Sequence, residues 1–380
     1  MNPASESPQA SVTTDKFKIV SVIIPLYNME KYVRECLESV KNQIYPWIEI
    51  IVIDDGSTDS SGSIADSYAA RDSRFRVLHT ENTGVAAASN LGLSVATGTF
   101  CYFLGSDDIL PATALQTLVS LIEMNDTDIA IGVCERFSDE VPPQTEESQI
   151  ELINGSAAIR DQILFDKKDL YPLEQRQLPV KLGYQMVSCL YRRDILVKHG
   201  IEFLPLTYGE DTYLCFAYLL HCVTAITTTH ITYWYRRNLE SVTFQYHPDY
   251  LLQTHRYYSF YLSLFTREAP DLVERARSGL DAQFFLRCVS AIERELFMSP
   301  PERSVQEKRA TLREIRRDPK FRELLTWQNI SRVPLSSQRR ILRLLYLRQY
   351  RLVAFLPSLL EVRNRTFSLV SSRRKVRGKT

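Results

Sequence analysis

IEIIVIDDGSTD (residues 48–59) is an apolar, β-branched run that stops abruptly on paired aspartates, Asp54 and Asp55, before a Gly-Ser-Thr-Asp turn. Continuous rather than alternating hydrophobicity reads as a strand of a parallel sheet covered on both faces. A second run, FCYFLGSDD (100–108), ends in the same way on Asp107 and Asp108. In open α/β sheets the ligand crevice lies outside the carboxyl ends of the strands. Carboxylates gathered at that edge repel one another unless a cation or a hydroxyl-rich ligand is held there. The two strand ends point to a metal-assisted nucleotide or sugar site.

Working outward, Lys18–Pro25 (KIVSVIIP) predicts a strand, and Met29–Asn42 places Tyr32, Val33, Cys36, Leu37 and Val40 on one helical face. After the strand at 48–53 come a helix near Ser60–Ala70, a short strand Phe75–His79, a small-residue helix Val85–Ala96 and a strand Phe100–Leu104. A helix Ala112–Met124 and a strand Ile129–Cys134 follow. The order β-α-β-α-β-α-β predicts an α/β fold, with a mostly parallel sheet between two helical layers. From Arg136 to about Gly183 the chain is polar, and a long loop with one helix, Ser156–Phe165, is expected. Order resumes through a helix starting at Asp211 and a strand-like stretch ending near Arg237. Beyond Pro248 the periodicity is helical, which puts a boundary near Tyr246 and a helical region over 247–380.

The 380 residues suit about two domains, and 44% hydrophobic content amply supports a core. Net charge is +1, but residues 331–380 hold thirteen basic side chains and one acid, so the last fifty carry about +12 and the rest about −11. Such asymmetry suits an anionic surface: lipid, nucleic acid or the protein's own acidic body. Seven cysteines form no CxxC pair and read as small buried hydrophobes in a reducing compartment. Residues 1–17 lack a basic n-region and an apolar h-region, so they read as a disordered lead rather than a signal peptide. No run of ~18 uncharged apolar residues predicts a membrane span. A cytoplasmic protein is expected.

The stretch SVIIPLYNMEKYVRECLESVKNQIYPWIEIIVIDDGSTDSS (21–61) resembles the opening of family 2 glycosyltransferases of the GT-A fold. The resemblance continues in register through NTGVAAASNLGL, YFLGSDDIL, LYRRDIL, YGEDTYLCF and YWYRRNLESVT, covering about residues 18–245. It implies that Pro25, Tyr27 and Asn28 line the nucleotide base pocket, where a strand-to-helix turn with Asn28 as N-cap is the plainer reading. It implies that Asp54 and Asp55 accept hydrogen bonds from the base and ribose; alternatively they cap the next helix, for which Asp59 is the better placed.

The same resemblance puts Ser106, Asp107 and Asp108 at the family's Asp-x-Asp metal position. There Asp107 and Asp108 would hold Mg²⁺ or Mn²⁺ against the donor's diphosphate, or would simply form a turn. Gly105 replaces the triplet's first aspartate. Asp211, preceded by Glu210, would be the general base of an inverting transfer, or a helix cap. Arg236 would approach the diphosphate, or remain solvated at a strand end. Cys189 and Ser89 stand where lysine and arginine are common in the family.

The implied activity is transfer of one sugar from a nucleotide-diphosphate donor, a UDP-sugar by preference, to a hydroxyl of a bacterial cell-surface or lipid-linked glycan. No Gln-x-x-Arg-Trp run marks a processive synthase. The rival from another class is a nucleotide-binding scaffold with weak catalysis, suggested by Gly105, Cys189 and Ser89. A nucleotidyltransferase is disfavoured because no Gly-rich phosphate loop follows the first strand. Residues 341–356 mix leucines with Arg343, Arg348 and Arg351. They read as a basic amphipathic helix on the inner face of the plasma membrane, or as a helix packed on the body. No nucleic-acid partner is expected.

Overall fold

A computed structural model of the chain describes residues 18–138, 140–141, 148–160, 187–206, 209–238, 246–333 and 336–349. Four parallel strands form one half of its sheet: β1 (Val20–Leu26), β2 (Ile48–Asp54), β3 (Phe75–His79) and β4 (Phe100–Phe103). The other half holds β5 (Ile129–Phe137), β6 (Ile150–Asn154), β7 (Cys189–Arg192) and β8 (Thr224–Arg236). The order across the eight-stranded sheet is β3-β2-β1-β4-β7-β5-β8-β6. Only β7 and β6 run against the rest.

Side-chain alternation along each strand assigns the two layers. Val20, Val22 and Ile24 of β1, with Ile50 and Val52 of β2, face α1 (Val33–Lys41), α2 (Ser61–Ala69) and α4 (Ala114–Asn125). Ile23, Ile51 and Ile53 face the opposite layer, made by α3 (Val85–Val95), α6 (Arg193–Lys198) and α7 (Glu210–Leu219). Both faces are covered, which is why these strands read as unbroken apolar runs.

Two features depart from the sequence expectation, a strand in the polar stretch and the packing around Tyr246. The polar stretch after Arg136 contains β6, antiparallel to β8 at the sheet edge. In IELIN the apolar Ile150 and Leu152 face solvent and Ile153 is the one buried residue, so the five residues alternate in no way that marks a covered face. The helix expected over 156–165 appears as α5 (Ser156–Ile159), and 161–186 lie outside the described residues. Nor does packing change at Tyr246. Helix α8 (Tyr250–Glu268) and the start of α9 (Val273–Phe297) put Tyr257, Tyr261, Leu264, Phe265 and Leu280 into the same core as α7. A separate core begins midway along α9, at Phe284, and runs through α10 (Val305–Arg317), α11 (Pro319–Leu324), α12 (Trp327–Arg332) and α13 (Ser336–Tyr346).

The basic amphipathic helix expected at 341–356 corresponds to α13, whose Ile341, Leu342 and Leu345 are buried in that second core. Over the described part of that stretch these apolar side chains are covered by the protein itself, and 350–356 lie outside the described residues. No helix among the described residues is long and apolar enough to cross a membrane. The expected lead, 1–17, and the basic tail beyond 350 lie outside the described residues.

Candidate functional site

The carboxyl edge of the parallel strands collects the predicted carboxylates. Asp54 ends β2 and is 6% exposed; Asp55, the next residue, is 3% exposed. Asp54 accepts the backbone N–H of Ser57 at 3.1 Å and lies 2.8 Å from Nδ1 of His79, the last residue of β3. Asp55 accepts the N–H of Thr83 and of Gly84, each at 2.8 Å, one on each oxygen. The pair organises the 80–84 segment leading into α3 and does not cap α2. Asp59, one residue before the N-cap Ser60, accepts the N–H of Ser61 at 2.9 Å and of Glu30 at 3.1 Å. Burial opposes ionisation of Asp59, yet these donors hold its carboxyl below the usual value.

Tyr27 stands 44% exposed just after β1, while the partly buried Pro25 lies inside the strand, opposite Ile53. Asn28 follows in the left-handed region, φ 51°, which asparagine tolerates better than most residues. Its side-chain oxygen accepts the N–H of Thr58 at 2.8 Å, and its own N–H is given to Ser57 Oγ at 3.1 Å. Asn28 thus ties the loop after β1 to the loop after β2, a role the N-cap reading misses. An open cleft lies beside it, lined by Asn28, Glu30, Lys31, Tyr32 and Asp59.

Beyond β4 the two adjacent aspartates differ. Asp107 is partly exposed, and its Oδ2 accepts Asn238 Nδ2 at 3.1 Å. Burial raises its pKa against the opposing Asn238 hydrogen bond and Arg236 charge. Asp108, 3% exposed, turns inward: its Oδ1 accepts the Arg236 N–H at 2.7 Å and its Oδ2 the Tyr233 hydroxyl. Burial, then the like charge of Asp107, pushes the Asp108 carboxyl well above the usual range.

Gly105 donates its N–H to the same Tyr233 hydroxyl at 3.0 Å. A Cβ on Gly105 would lie 2.6 Å from Asp108 Oδ2, so the place of the family's missing carboxylate is taken by the Asp108 side chain. Ser106 is buried beside it. Among the described residues, no group of three or more His, Cys, Asp or Glu side chains is placed to hold a metal ion.

Arg236, at the end of β8, is 9% exposed and not a solvated strand-end cation. Its Nε donates to the Asp107 carbonyl at 2.8 Å, its Nη2 pairs with Glu35 of α1, and its guanidinium lies over Phe137 and Tyr32. The side chain that the resemblance aims at a diphosphate therefore fastens the Asp107–Asp108 turn to α1 and β5.

Helix α7 runs back from the same edge. Gly209 precedes it at φ 83°, and Asp211 accepts its neighbour's N–H, from Thr212, at 2.7 Å. Burial and the charge of Asp211 push the Glu210 carboxyl up to about 8, with Arg287 opposing. Cys134, on the carboxyl half of β5, connects the two clusters. Burial raises its thiol pKa first, and the charges of Asp108 and of Asp211 both add to the rise. Helix α7 ends just before β8, which runs parallel to β5, so its first turn lies toward the carboxyl edge where the β4 aspartates sit.

Sequence reading misses four contributors: Asn238, Glu35, His79 and Arg287. Asn238 is adjacent to the Arg-Arg pair and could be found there; the other three carry no motif signal.

Residues 21–200 match the sequence model of Glycosyl transferase family 2. Glycosyltransferase GlyG of Streptococcus pneumoniae serotype 4 is 47% identical over 116 residues, 30% of this chain and 38% of that protein. The match to EpsJ of Bacillus subtilis likewise covers only 40% of that protein. EpsH of Bacillus subtilis is 29% identical over 347 residues, 88% of this chain and 93% of its own length. The crystal structure of S. aureus TarS 1-349 in complex with UDP-GlcNAc superposes with a TM-score of 0.57 at 21% identity, covering 89% of this chain and 90% of that one. The fold is GT-A, and residues 21–200, just under half of the chain, carry the sequence pattern of glycosyl transferase family 2.

Proposed function

We propose that the protein is an inverting glycosyltransferase that moves a single sugar from a UDP-sugar to a hydroxyl of a bacterial cell-surface or lipid-linked glycan. The observation that carries this reading is the placement of the Asp107–Asp108 turn after β4 and of the first turn of α7 on the carboxyl side of the sheet, beside a loop system organised by Asp54, Asp55 and Asn28. The TarS structure holds UDP-GlcNAc on a chain of the same fold, which supports a UDP-sugar as donor.

Asp55 Oδ1 is filled by the Thr83 N–H and the Thr83 and Thr80 hydroxyls, but Asp55 Oδ2 and both Asp54 oxygens keep a further lone pair for a base N–H or a ribose hydroxyl. Exposed Tyr27 offers a ring to the base. For a divalent cation the fit is partial. Asp107 is a raised-pKa carboxylate on the crevice side, and Mg²⁺ needs only one or two carboxylates beside substrate phosphate oxygens. Asp108 is committed to Tyr233 and to the Arg236 N–H, and so acts as the support of Asp107. Bound there, Mg²⁺ or Mn²⁺ would offset charge on the departing diphosphate.

Asp211 accepts the proton of the acceptor hydroxyl as that oxygen attacks the anomeric carbon. The bond from that carbon to the diphosphate oxygen breaks, and its electron pair leaves with UDP. Inversion follows because base and leaving group lie on opposite faces of the sugar.

A donor screen that follows free nucleoside diphosphate in Mg²⁺ or Mn²⁺ tests the reading. Release from a UDP-sugar is expected, and no release from any UDP-, GDP- or dTDP-sugar would overturn it. The filled space at Gly105 favours a second reading, a nucleotide-binding scaffold. For that scaffold, calorimetry would show metal-dependent UDP binding without turnover.

A further inference from the structure

The helices after residue 246 reach back to the start of α7. Arg287, on α9, lays its guanidinium over the ring of Tyr257, on α8, with the central carbon 3.7 Å from the ring centroid. That stack is packed onto Gly209: a Cβ there would lie 3.0 Å from Arg287 Nη2 and 3.1 Å from Tyr257 Cε2. Tyr261, also on α8, donates its hydroxyl to the Gly209 carbonyl at 3.4 Å. Two helices from beyond the matched family region thus press one cation and two phenols against the residue that precedes Glu210 and Asp211. Arg287 Nε is buried and has no hydrogen-bond partner among the described residues. A desolvated guanidinium is stabilised when carboxylate charge lies close by, and the adjacent Glu210–Asp211 pair supplies it.

We propose that Arg287 is a positioning residue for the Glu210–Asp211 pair, so that the C-terminal helices complete the catalytic site. The proposal rests on the reading of Asp211 as general base. Two carboxylates in sequence at a half-buried helix start repel each other, and the first of them takes up a proton most readily. A fixed cation one helix away counters that repulsion, so Glu210 gives up its proton at a lower pH than it would without Arg287. The same guanidinium also crowds position 209, where the φ of 83° already favours glycine. The groups that face the pair are Arg287 from α9, Tyr257 and Tyr261 from α8 and the Cys134 thiol from β5. Among these, Arg287 is the one permanent charge.

The test uses the full chain with Arg287→Gln and Arg287→Lys, reading both the ¹³C titration of the Glu210 carboxyl (assigned with Glu210→Gln) and the kcat–pH profile. In Arg287→Gln the Glu210 titration is expected to move up by about one pH unit or more, the shift expected on losing an opposite charge at a few ångströms. kcat should fall roughly tenfold to hundredfold with donor KM nearly unchanged. Arg287→Lys, which keeps the charge without the planar stack, should restore most of the titration and part of kcat. An unmoved Glu210 titration in Arg287→Gln overturns the proposal, whatever happens to melting temperature or rate. If the titration moves but the wild-type protein turns over no donor, the proposed function falls, while the coupling of Arg287 to Glu210 stands.

Discussion

At Gly105 the sequence and the structure make different statements about one position. In the sequence, glycine looks like a lost carboxylate. In the structure, the inward-turned Asp108 fills that space and Tyr233 holds it there. Restoring the family's aspartate with Gly105→Asp therefore adds a side chain where no room exists, beside two carboxylates. The expected outcome is a loss of about 1–3 kcal/mol of stability from overpacking, and no gain in Mn²⁺ affinity. Thermal melting and calorimetry with Mn²⁺ and UDP check both; a stable variant with tighter metal binding would contradict the account. The aspartates at positions 54, 55, 107 and 211 are legible in the sequence because strand ends and helix starts announce them. Their division of labour is not. Whether a carboxylate faces the crevice or the core depends on partners such as Tyr233 and Arg236, 125 and more residues away.

Between elements, His79 shows how the donor side is held. It ends β3, binds Asp54 of β2 through Nδ1 at 2.8 Å and approaches Asp66 of α2 through Nε2 at 3.1 Å. The Asp54 hydrogen bond is the leading cause of a raised His79 pKa. A native pKa above the unfolded value favours the protonated native state. The stabilisation is thus full below about pH 6.5 and is lost as pH rises through the raised native value. Melting curves of wild type and His79→Gln should differ most at low pH and converge at high pH. A gap that widens with pH would refute the linkage. At this scale the parallel half of the sheet is readable from its apolar runs. Strand β6 is not, since an edge strand with one solvated face and a polar surround gives neither a continuous nor a clear alternating pattern.

For the whole molecule, the packing joins what a compositional boundary near Tyr246 divides. Helix α8 shares its core with α7, and α9 carries Arg287 to the Gly209 turn within the same stretch, from Phe284 on, that packs into the second core around Leu342 and Leu345. Helical periodicity reveals that these helices exist, but not which of their faces meets the Gly209 turn. The central claim is that Asp211, placed at that edge, removes the acceptor proton during sugar transfer. Paired measurement of transfer and of UDP binding in Asp211→Asn tests it most directly. The account predicts that transfer falls by roughly 10²–10⁴-fold while UDP affinity measured by calorimetry stays within about twofold. Transfer that survives the substitution, or UDP binding that collapses along with it, would contradict the assignment of Asp211 as the base.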